Sequence, residues 1–440
     1  MSTMSTPAVE DVLELHRRSR GKYEIVSKVP VNSREDLAKS YTPGVAYVSE
    51  AIKANREMAY EYTTKSNTIA IISDGTRVLG LGNIGAEAGL PVMEGKAILF
   101  KKLGGVDAIP ICIRTTDENE IVKFVENISP NFGAINLEDI ESPKVFRIQD
   151  RLSKTLDIPV FHDDRQGTAV SVLAALKNAL KLSGKGKNAR IVVNGAGSAG
   201  FGIIQLLSFS GYKNLLAVDS KGIIYKDRPD GLQDYKKEVA EITNAGNESG
   251  DLKDAISNAD VFIGVSTPDV FKKEFVHEMS QKPIIFALAN PVPEISYADA
   301  IQAGAFIAAT GRSDAPNQVN NTVAFPGIFR GMLDARAKGV NLDMLCAAAN
   351  EIANSVGRGL SPENIIPSVT DKKQVVKTMS AVASSVASKA IETNMARHNI
   401  DPEFVKNNAK MLIKRYWRIE SRILQKTNSA VSSGGGTQHV

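Results

Sequence analysis

Short runs of apolar residues, several of them ending directly in polar residues, recur along most of the chain and are separated by amphipathic stretches. Runs of this length predict buried strands, and amphipathic stretches between them predict helices that connect parallel strands. The runs are Thr68–Ile72, Ala108–Ile113, Ala134–Leu137 and Ile158–Phe161 in the first part of the chain, and 191–193, 215–218, Val261–Val265, Ile284–Leu288 and Ala305–Ala309 in the second. The pattern therefore predicts an α/β fold with two parallel sheets.

A glycine pattern, Gly195-x-Gly197-x-x-Gly200, lies between a predicted strand and a predicted helix. In that context the first glycine permits a tight turn, the second lets the backbone approach a pyrophosphate, and the third lets the helix pack on the strand. The next predicted strand ends in Asp219, whose carboxylate is placed to accept hydrogen bonds from a ribose. The alternative is an ordinary glycine turn. The segment predicts a dinucleotide site formed by Gly195, Gly197, Ser198, Ala199, Gly200 and Asp219.

These patterns predict two domains and a helical C-terminus. Residues 1–165 are expected to form an N-terminal α/β domain, and residues 166–390 a Rossmann-like domain. Residues 391–426 are expected to form helices that pack on the body through Leu412, Tyr416, Ile419 and Ile423, and residues 427–440, rich in Ser and Gly, predict a disordered tail. Residues 9–30 predict a further helix at the N-terminus.

Two pairs of acids, Glu138 with Asp139 and Asp163 with Asp164, directly follow predicted strands of the first sheet. Because ligands collect at the carboxyl ends of parallel strands, these acids are expected to converge on one site. Adjacent carboxylates repel unless a cation or a proton lies between them, and hard oxygen ligands suit Mg²⁺ or Mn²⁺. The alternative is that each pair stabilises a helix N-terminus.

Lys96 and Tyr41 are candidate acid–base groups. Lys96 is expected near the start of an apolar helix, because Pro91 should interrupt any earlier helix. The helix dipole and the apolar neighbours would then lower the pKa of Lys96 into the range of a general base. Tyr41 precedes Pro43-Gly44 and is expected on a loop or at a helix end. Each residue also has a simpler interpretation: Lys96 would be an ordinary surface lysine, and Tyr41 would be a packing residue.

Composition excludes several classes of partner. The net charge of +4 is small and both signs are mixed along the chain, which gives no case for nucleic acid. No apolar run reaches the roughly 18 residues that cross a bilayer, and the N-terminus lacks a secretory pattern, so no membrane association is expected. The two cysteines, Cys112 and Cys346, have no metal-type spacing. We expect a cytoplasmic protein.

Together these segments resemble the malic enzymes, in particular the short prokaryotic forms. The similarity runs from about residue 10 to about residue 390 in the family's order. A match to a single segment is weak evidence for the family, but this many matching segments in the family's order are specific evidence for it. The matching segments are Ser40–Ala46, Ser73–Gly85, Pro91–Lys96, Ala134–Ile140, Phe161–Thr168, Gly195–Gly200, Ala289–Pro293 and Asn317–Gly327.

The resemblance implies oxidative decarboxylation of L-malate to pyruvate and CO₂, with NAD or NADP and Mg²⁺ or Mn²⁺, and also decarboxylation of oxaloacetate. It implies a homodimer or a dimer of dimers, with Tyr41 reaching a neighbour's site. The implied roles are general acid for Tyr41, general base for Lys96, a partner of that lysine for Asp163, metal ligands for Glu138, Asp139 and Asp164, a malate contact for Arg77, and contacts to substrate and nicotinamide ribose for Asn290 and Asn321, with Asn320 beside them.

Two other functions and the choice of cofactor stay open. The first is a metal-dependent decarboxylase or another α/β dehydrogenase, such as an amino-acid dehydrogenase, which would not need three clustered acids. The second is a non-catalytic module that senses NAD, which would not need the acid–base residues. Asp219 opposes a 2′-phosphate and favours NAD. Lys221, Lys226 and Arg228 follow closely enough to bind that phosphate, so NADP use is expected as well.

Overall fold

The computed structural model describes residues 8–78, 80–232 and 235–433, with side chains through residue 425. Its first part contains a four-stranded sheet in which all neighbours are parallel, in the order β2-β1-β3-β4. The strands are β1 (Thr68–Ser73), β2 (Asp107–Cys112), β3 (Ala134–Leu137) and β4 (Val160–His162). The helices are α1 (Val9–Ser19), α2 (Arg34–Ser40), α3 (Val45–Ala54), α4 (Ala59–Tyr62), α5 (Gly85–Gly104), α6 (Glu118–Ile128) and α7 (Lys144–Thr155).

The second part begins at α8 (Thr168–Ser183) and contains a six-stranded sheet in the order β10-β9-β8-β5-β6-β7. All pairs are parallel except β6 with β7, as in a Rossmann-like fold. The strands are β5 (Ile191–Asn194), β6 (Leu215–Asp219), β7 (Gly222–Ile223), β8 (Val261–Gly264), β9 (Ile284–Ala287) and β10 (Ile307–Thr310). The helices are α9 (Ser198–Phe209), α10 (Tyr235–Ile242), α11 (Leu252–Ile256), α12 (Glu274–Glu278), α13 (Tyr297–Gln302) and α14 (Phe325–Asp334).

Three long helices complete the fold, α15 (Leu342–Val356), α16 (Lys372–Glu392) and α17 (Pro402–Ser433). Ile413 of α17 is fully buried against α5, and the indole of Trp417 donates to the carbonyl oxygen of Lys102 at 3.0 Å. Along the predicted stripe, Leu412 and Tyr416 are half-buried, whereas Ile419 and Ile423 are more exposed. The helix continues into the segment predicted to be disordered, and residues 434–440 of that segment lie outside the described residues.

One hydrophobic core reaches across both sheets. Ile69 and Ile135 of the first sheet and Ile191 and Ile284 of the second are fully buried in the same cluster. Buried strands of β-branched residues with helices on their faces are typical of parallel sheets. The mixed α/β class with a Rossmann-like domain and C-terminal helices is therefore as predicted. Within the described residues, no helix is both long and apolar enough to cross a bilayer.

Two predictions about helices were wrong. The N-terminal helix ends at Ser19 and does not continue to residue 30, because Arg20 and Gly21 adopt left-handed conformations that break it. Pro91 does not interrupt a helix either, since it lies inside α5. A proline in a helix interior costs about 3 kcal/mol, and burial of Met93, Ala97 and Phe100 on the same helix offsets that cost.

Candidate active site

Three acids meet at the carboxyl ends of β3 and β4. Glu138 and Asp139 directly follow β3, and Asp164 lies in a π-helical turn, Asp163–Gly167, that directly follows β4. One carboxylate oxygen from each of Glu138, Asp139 and Asp164 lies within 4.8 Å of the others. The predicted convergence of these acids is therefore observed, and three hard oxygen donors at this spacing fit a divalent cation.

An asparagine holds one of these acids in place. Asn136 is fully buried in β3 and donates from Nδ2 to Oε2 of Glu138 at 2.8 Å. The sequence reasoning missed this residue, although a signal existed. Asn136 is a polar residue inside a buried strand, two positions before an acid and therefore on the same face of the strand.

Lys96 lies among these acids. Its Nζ is 2.9 Å from Oε1 of Glu138, forms a short contact with Oδ2 of Asp163, and lies 4.4 Å from the centre of the Phe325 ring. Burial alone would lower the pKa of Lys96, but the carboxylates of Asp163 and Glu138 outweigh it and raise that pKa. The expectation that a helix start would lower this pKa was therefore wrong, because Lys96 lies within α5 and faces acids.

Asp163 connects Lys96 to the second part of the chain. Its side chain is fully buried, and Oδ2 accepts hydrogen bonds from Lys96 and, at 2.6 Å, from Nδ2 of Asn321. Within the described residues its Oδ1 has no hydrogen-bond partner. Asn321 begins a 3-10 turn just before α14, so an amide of the second part contacts the Lys96–Asp163 pair of the first.

Negative charge is in excess at this site. Burial and then the neighbouring carboxylates raise the pKa of Asp139 to about 9, and burial with similar repulsion raises the pKa of Asp163 to about 7 and that of Asp164 to about 6. Lys96 and Arg77 partly oppose these increases. A site that crowds carboxylates in this way suits a positively charged ligand.

Arg165 directly follows the two acids in the π-helical turn and holds this turn in place. The Arg165 guanidinium lies 5.4 Å from the Phe146 ring centre and 4.6 Å from that of Phe201, and it donates to Oε1 of Gln205 at 2.6 Å. Phe201 and Gln205 belong to α9. Arg165 therefore fixes the acid-bearing turn against the helix that follows the glycine pattern, an arrangement that the sequence did not signal.

Arg77 lies close to the acids, whereas Tyr41 lies at the exposed end of α2. The backbone N–H of Arg77 donates to the carbonyl oxygen of Asp139 at 3.1 Å, and the charge of Arg77 lowers the pKa of Asp164, so this residue lies beside the acids. Tyr41 is 66 % exposed at the end of α2. Within the described part of the chain no hydrogen bond joins its hydroxyl to Lys96 or to the acids.

The glycine pattern forms a close turn at the start of α9. Gly195 has a φ of 110°, and a Cβ there would lie 2.6 Å from the carbonyl oxygen of Val265. A Cβ on Gly200 would collide with the carbonyl of Gly195, whereas nothing lies within 4 Å of one on Gly197. Gly195 and Gly200 are therefore required for packing, and Gly197 leaves the open space that a pyrophosphate needs.

Ser198 and Ala199 begin α9 inside that pattern. The Oγ of Ser198 lies 2.5 Å from the Oγ of Ser142, which lies two residues before α7. This hydrogen bond joins the glycine turn to the first part of the chain. The glycine turn therefore contacts the loop that follows Glu138 and Asp139.

Asp219 ends β6 but does not present a free carboxylate. Arg228 donates to both of its oxygens, at 2.9 and 2.8 Å, and Nζ of Lys236 donates to Oδ2 at 2.8 Å. Burial would raise the pKa of Asp219, but these hydrogen bonds and one from the backbone of Lys221 lower it to about 2. Lys236 was missed, because nothing in the sequence connects it to Asp219.

The remaining predicted residues lie beside the second sheet. Asn290 follows β9, and a Cβ on Gly311 would lie 2.7 Å from its Nδ2. The Oδ1 of Asn320 accepts hydrogen bonds from the N–H of Thr322 at 2.9 Å and from its hydroxyl at 2.5 Å. That oxygen of Asn320 is therefore committed to the local turn.

Family models match both parts of the chain. Residues 20–153 match the malic enzyme N-terminal domain, and residues 165–391 match the malic enzyme NAD-binding domain. This chain belongs to the malic enzyme family. The resemblance inferred from the motifs is thereby confirmed, and with it the class of enzyme, a nicotinamide-dependent oxidoreductase of a family that oxidatively decarboxylates malate.

Individual malic enzymes are similar over most of their length. The bifunctional malic/malolactic enzyme of Bacillus subtilis (strain 168) is 51% identical over 92% of this chain and 98% of its own. The NAD-dependent malic enzyme of Geobacillus stearothermophilus is 49% identical over 87% and 79%. The crystal structure of malic enzyme from Pyrococcus horikoshii Ot3 superposes with a TM-score of 0.90 at 45% identity, covering 95% and 98%.

Proposed function

We propose that this malic enzyme holds Mg²⁺ or Mn²⁺ on Glu138, Asp139 and Asp164 and uses NAD to convert L-malate to pyruvate and CO₂. The observation that carries the proposal is the convergence of three carboxylates within 4.8 Å, beside Lys96. When bound, the cation would stabilise negative charge on the substrate oxygens and the nicotinamide would accept the hydride from C2 of malate. Oxaloacetate would be decarboxylated at the same site.

The chain's own residues would hold the substrate and move its protons. A cation on Glu138 would offset the carboxylate charge that raises the pKa of Lys96, so that Lys96 could lose its own proton and, as a neutral amine, take the proton of the C2 hydroxyl. Asp163, in contact with Nζ, orients the amine. Once the C4 carboxylate has left as CO₂, Tyr41 gives a proton to C3 of the enol to form pyruvate. Arg77 binds a malate carboxylate, and Asn290 and Asn321 contact the substrate and the nicotinamide ribose, with Asn320 beside them.

We further propose that the active form is a homodimer or a dimer of dimers. Tyr41 is exposed and has no hydrogen bond to the acids within the described residues, which supports delivery of its hydroxyl to the site of a second copy. The segment that carries Tyr41 also exposes many apolar side chains, and contiguous exposed apolar surface marks interfaces. They include Val9, Leu13, Leu15, Ile25, Val26, Val29, Val31, Leu37, Tyr41 and Tyr47.

NAD as the preferred cofactor, with NADP accepted, is proposed from the acid at the end of β6. A cytoplasmic location is proposed from the two free thiols, Cys112 and Cys346, which suit a reducing compartment.

A spectrophotometric assay of malate-dependent NADH formation tests the function. The protein is first treated with EDTA, and Mn²⁺ is then restored in excess. We expect turnover with L-malate, little with D-malate, loss of activity in EDTA and recovery with Mn²⁺. Turnover that persists after complete chelation would refute the metal role, and NADH formation without release of CO₂ would refute the decarboxylation.

A further inference from the structure

A buried acid joins the ends of β8 and β9. Glu294 is fully buried in the loop that follows β9. Its Oε1 accepts hydrogen bonds from the backbone N–H of Ser266 at 2.7 Å and from the Ser266 hydroxyl at 3.3 Å. Its Oε2 accepts from the backbone N–H of Ala289 at 3.1 Å. Ser266 lies two residues beyond β8 and Ala289 two residues beyond β9, so one carboxylate fixes the backbone where both strands end.

The fold makes room for this acid at a cost. Burial raises the pKa of Glu294, and the backbone hydrogen bonds from Ser266 and Ala289 oppose that increase. A buried carboxyl group is unfavourable unless hydrogen bonds compensate it, and these donors supply them. A Cβ on Gly264, the last residue of β8, would collide with the Glu294 carboxylate. The strand therefore ends in a glycine where the acid packs against it.

The same hydrogen bonds continue to the glycine turn. Nδ2 of Asn194 donates to Oγ of Ser266 at 2.9 Å, and Asn194 ends β5 directly before Gly195. The carbonyl oxygen of Val265 lies where a Cβ on Gly195 would be only 2.6 Å away. Glu294 thus supports, through Ser266, the loop that packs directly on the glycine turn.

The strands joined by Glu294 belong to one half of the sheet. A Rossmann-like sheet binds a dinucleotide as two mononucleotide halves, at the carboxyl ends of its strands. The glycine turn and Asp219 follow β5 and β6, so the adenosine half lies at those strand ends. On the other side of β5 the sheet continues with β8 and β9, where the nicotinamide half would lie. Asn290 directly follows Ala289 in this region.

We propose that Glu294 is a positioning residue for the nicotinamide half of the cofactor. By accepting from Ser266 and Ala289 together, its carboxylate fixes the two loops that this half contacts. The inference rests on the proposed function only in placing Asn290 against the nicotinamide ribose. A glutamine in place of Glu294 would turn an N–H donor towards one of the two backbone N–H groups and release that loop.

The experiment measures nucleotide binding by calorimetry, without malate or metal. The probes are NADH and ADP, because ADP lacks the nicotinamide half. The variants are Glu294→Gln and Glu294→Asp, which keeps the charge but is one methylene shorter. The Tm of each variant shows whether it is folded.

The matched control is Asp260→Asn. Asp260 also connects segments of the same sheet, since it accepts from the backbone N–H of Arg190 at 2.8 Å and from Nζ of Lys185 at 2.6 Å. It directly precedes β8 and therefore lies at the opposite edge of the sheet from Glu294. Its loss should lower stability without changing the cofactor loops.

We expect Glu294→Gln to weaken NADH binding about ten- to hundredfold, the range of one hydrogen bond to a charged group, and to leave ADP binding within about twofold. Glu294→Asp reaches one N–H but not both, so its loss of NADH affinity should be smaller but still selective. Asp260→Asn should lower the Tm and leave the ratio of the two dissociation constants unchanged.

Equal weakening of NADH and ADP would overturn the proposal, because it would show a general structural role. Unchanged NADH affinity in the folded Glu294 variants, or the same selective loss in Asp260→Asn, would also overturn it. If Glu294→Gln unfolds below the assay temperature, Glu294→Asp decides alone. The proposed function fails separately, if the unmodified protein binds both probes but does not turn over malate.

Discussion

The amine of Lys96 lies 2.9 Å from the carboxylate of Glu138, an acid that belongs to the three-residue candidate metal site. The candidate proton-transfer group and one of the candidate metal ligands are thus in direct contact. Changes to either are expected to affect the other, and the variants below are chosen to separate the two.

Lys96→Met should abolish most malate oxidation. General acid–base catalysis contributes about 10²–10⁴-fold, and we expect kcat to fall by a factor in that range while NADH binding, followed by fluorescence, is unchanged. The control is Lys101→Met, which removes a lysine of the same helix that pairs with Asp107. Near-normal kcat in Lys96→Met would remove this residue from the mechanism.

Mn²⁺ should raise the Tm of the EDTA-treated protein, because a ligand that binds the folded state stabilises it, by about 2.7 kcal/mol at a hundred times Kd. Asp164→Asn should lose most of this rise. Asp157→Asn, an exposed acid close in sequence, should keep it. Identical metal-dependent shifts in the two variants would show that the cation binds elsewhere.

Asn136→Leu should weaken cation binding without unfolding the protein. The side chain is buried and holds Oε2 of Glu138, and loss of such a supporting hydrogen bond costs about 10–100-fold in metal affinity. The readout is the Mn²⁺ concentration that gives half-maximal activity. Asn178→Leu is the control, because Asn178 is also buried but donates to the carbonyl oxygens of Ala353 and Ile365 far from the acids. If both variants shift the Mn²⁺ midpoint equally, Asn136 acts only through general stability.

Asp219 should contribute to stability above its unfolded pKa and lose that contribution in acid. Its folded pKa is lowered to about 2, so the stabilisation is complete near neutral pH and declines as the pH falls below about 4 towards 2. Between about pH 5 and about pH 3 the loss from this group is on the order of 1 kcal/mol. Urea unfolding of Asp219→Asn should show a shallower acid decline than the unmodified protein. Asp230→Asn removes an exposed acid nearby and should leave the acid decline unchanged. Parallel declines in all three proteins would show that Asp219 is not the group responsible.

The sequence was sufficient to predict the two sheets and the convergence of the acids, because both depend on local patterns of residues. Buried strands such as β3 are apolar runs, and residues that follow parallel strands share one edge whatever the details of packing. The position of Lys96 was not predictable in the same way. A proline usually ends a helix, and only the packing of α5 on the first sheet shows that Pro91 is tolerated.

The features of the site that the sequence did not predict depend on contacts between distant segments. Lys236 and Asp219 are brought together by the loop after β6, and Arg165 meets Phe201 only when the two parts of the chain are folded against each other. Neither contact leaves a periodicity or a motif. The role of Asn136 could have been predicted from the sequence, since a polar residue in a buried strand near an acid requires a hydrogen-bond partner.

The turn Asp163–Gly167 runs directly into α8, and the hydrophobic cluster continues from the first sheet to the second without a break. Cutting the backbone near residue 165, where a domain boundary was drawn from the sequence, would therefore separate acid side chains from the helix that supports them. Fragments 1–165 and 166–440 produced separately should each expose half of a shared interior and precipitate, while their co-expression should restore a folded pair. The two halves of this enzyme are recognisable as modules in its sequence, yet they are expected to fold as a single cooperative unit.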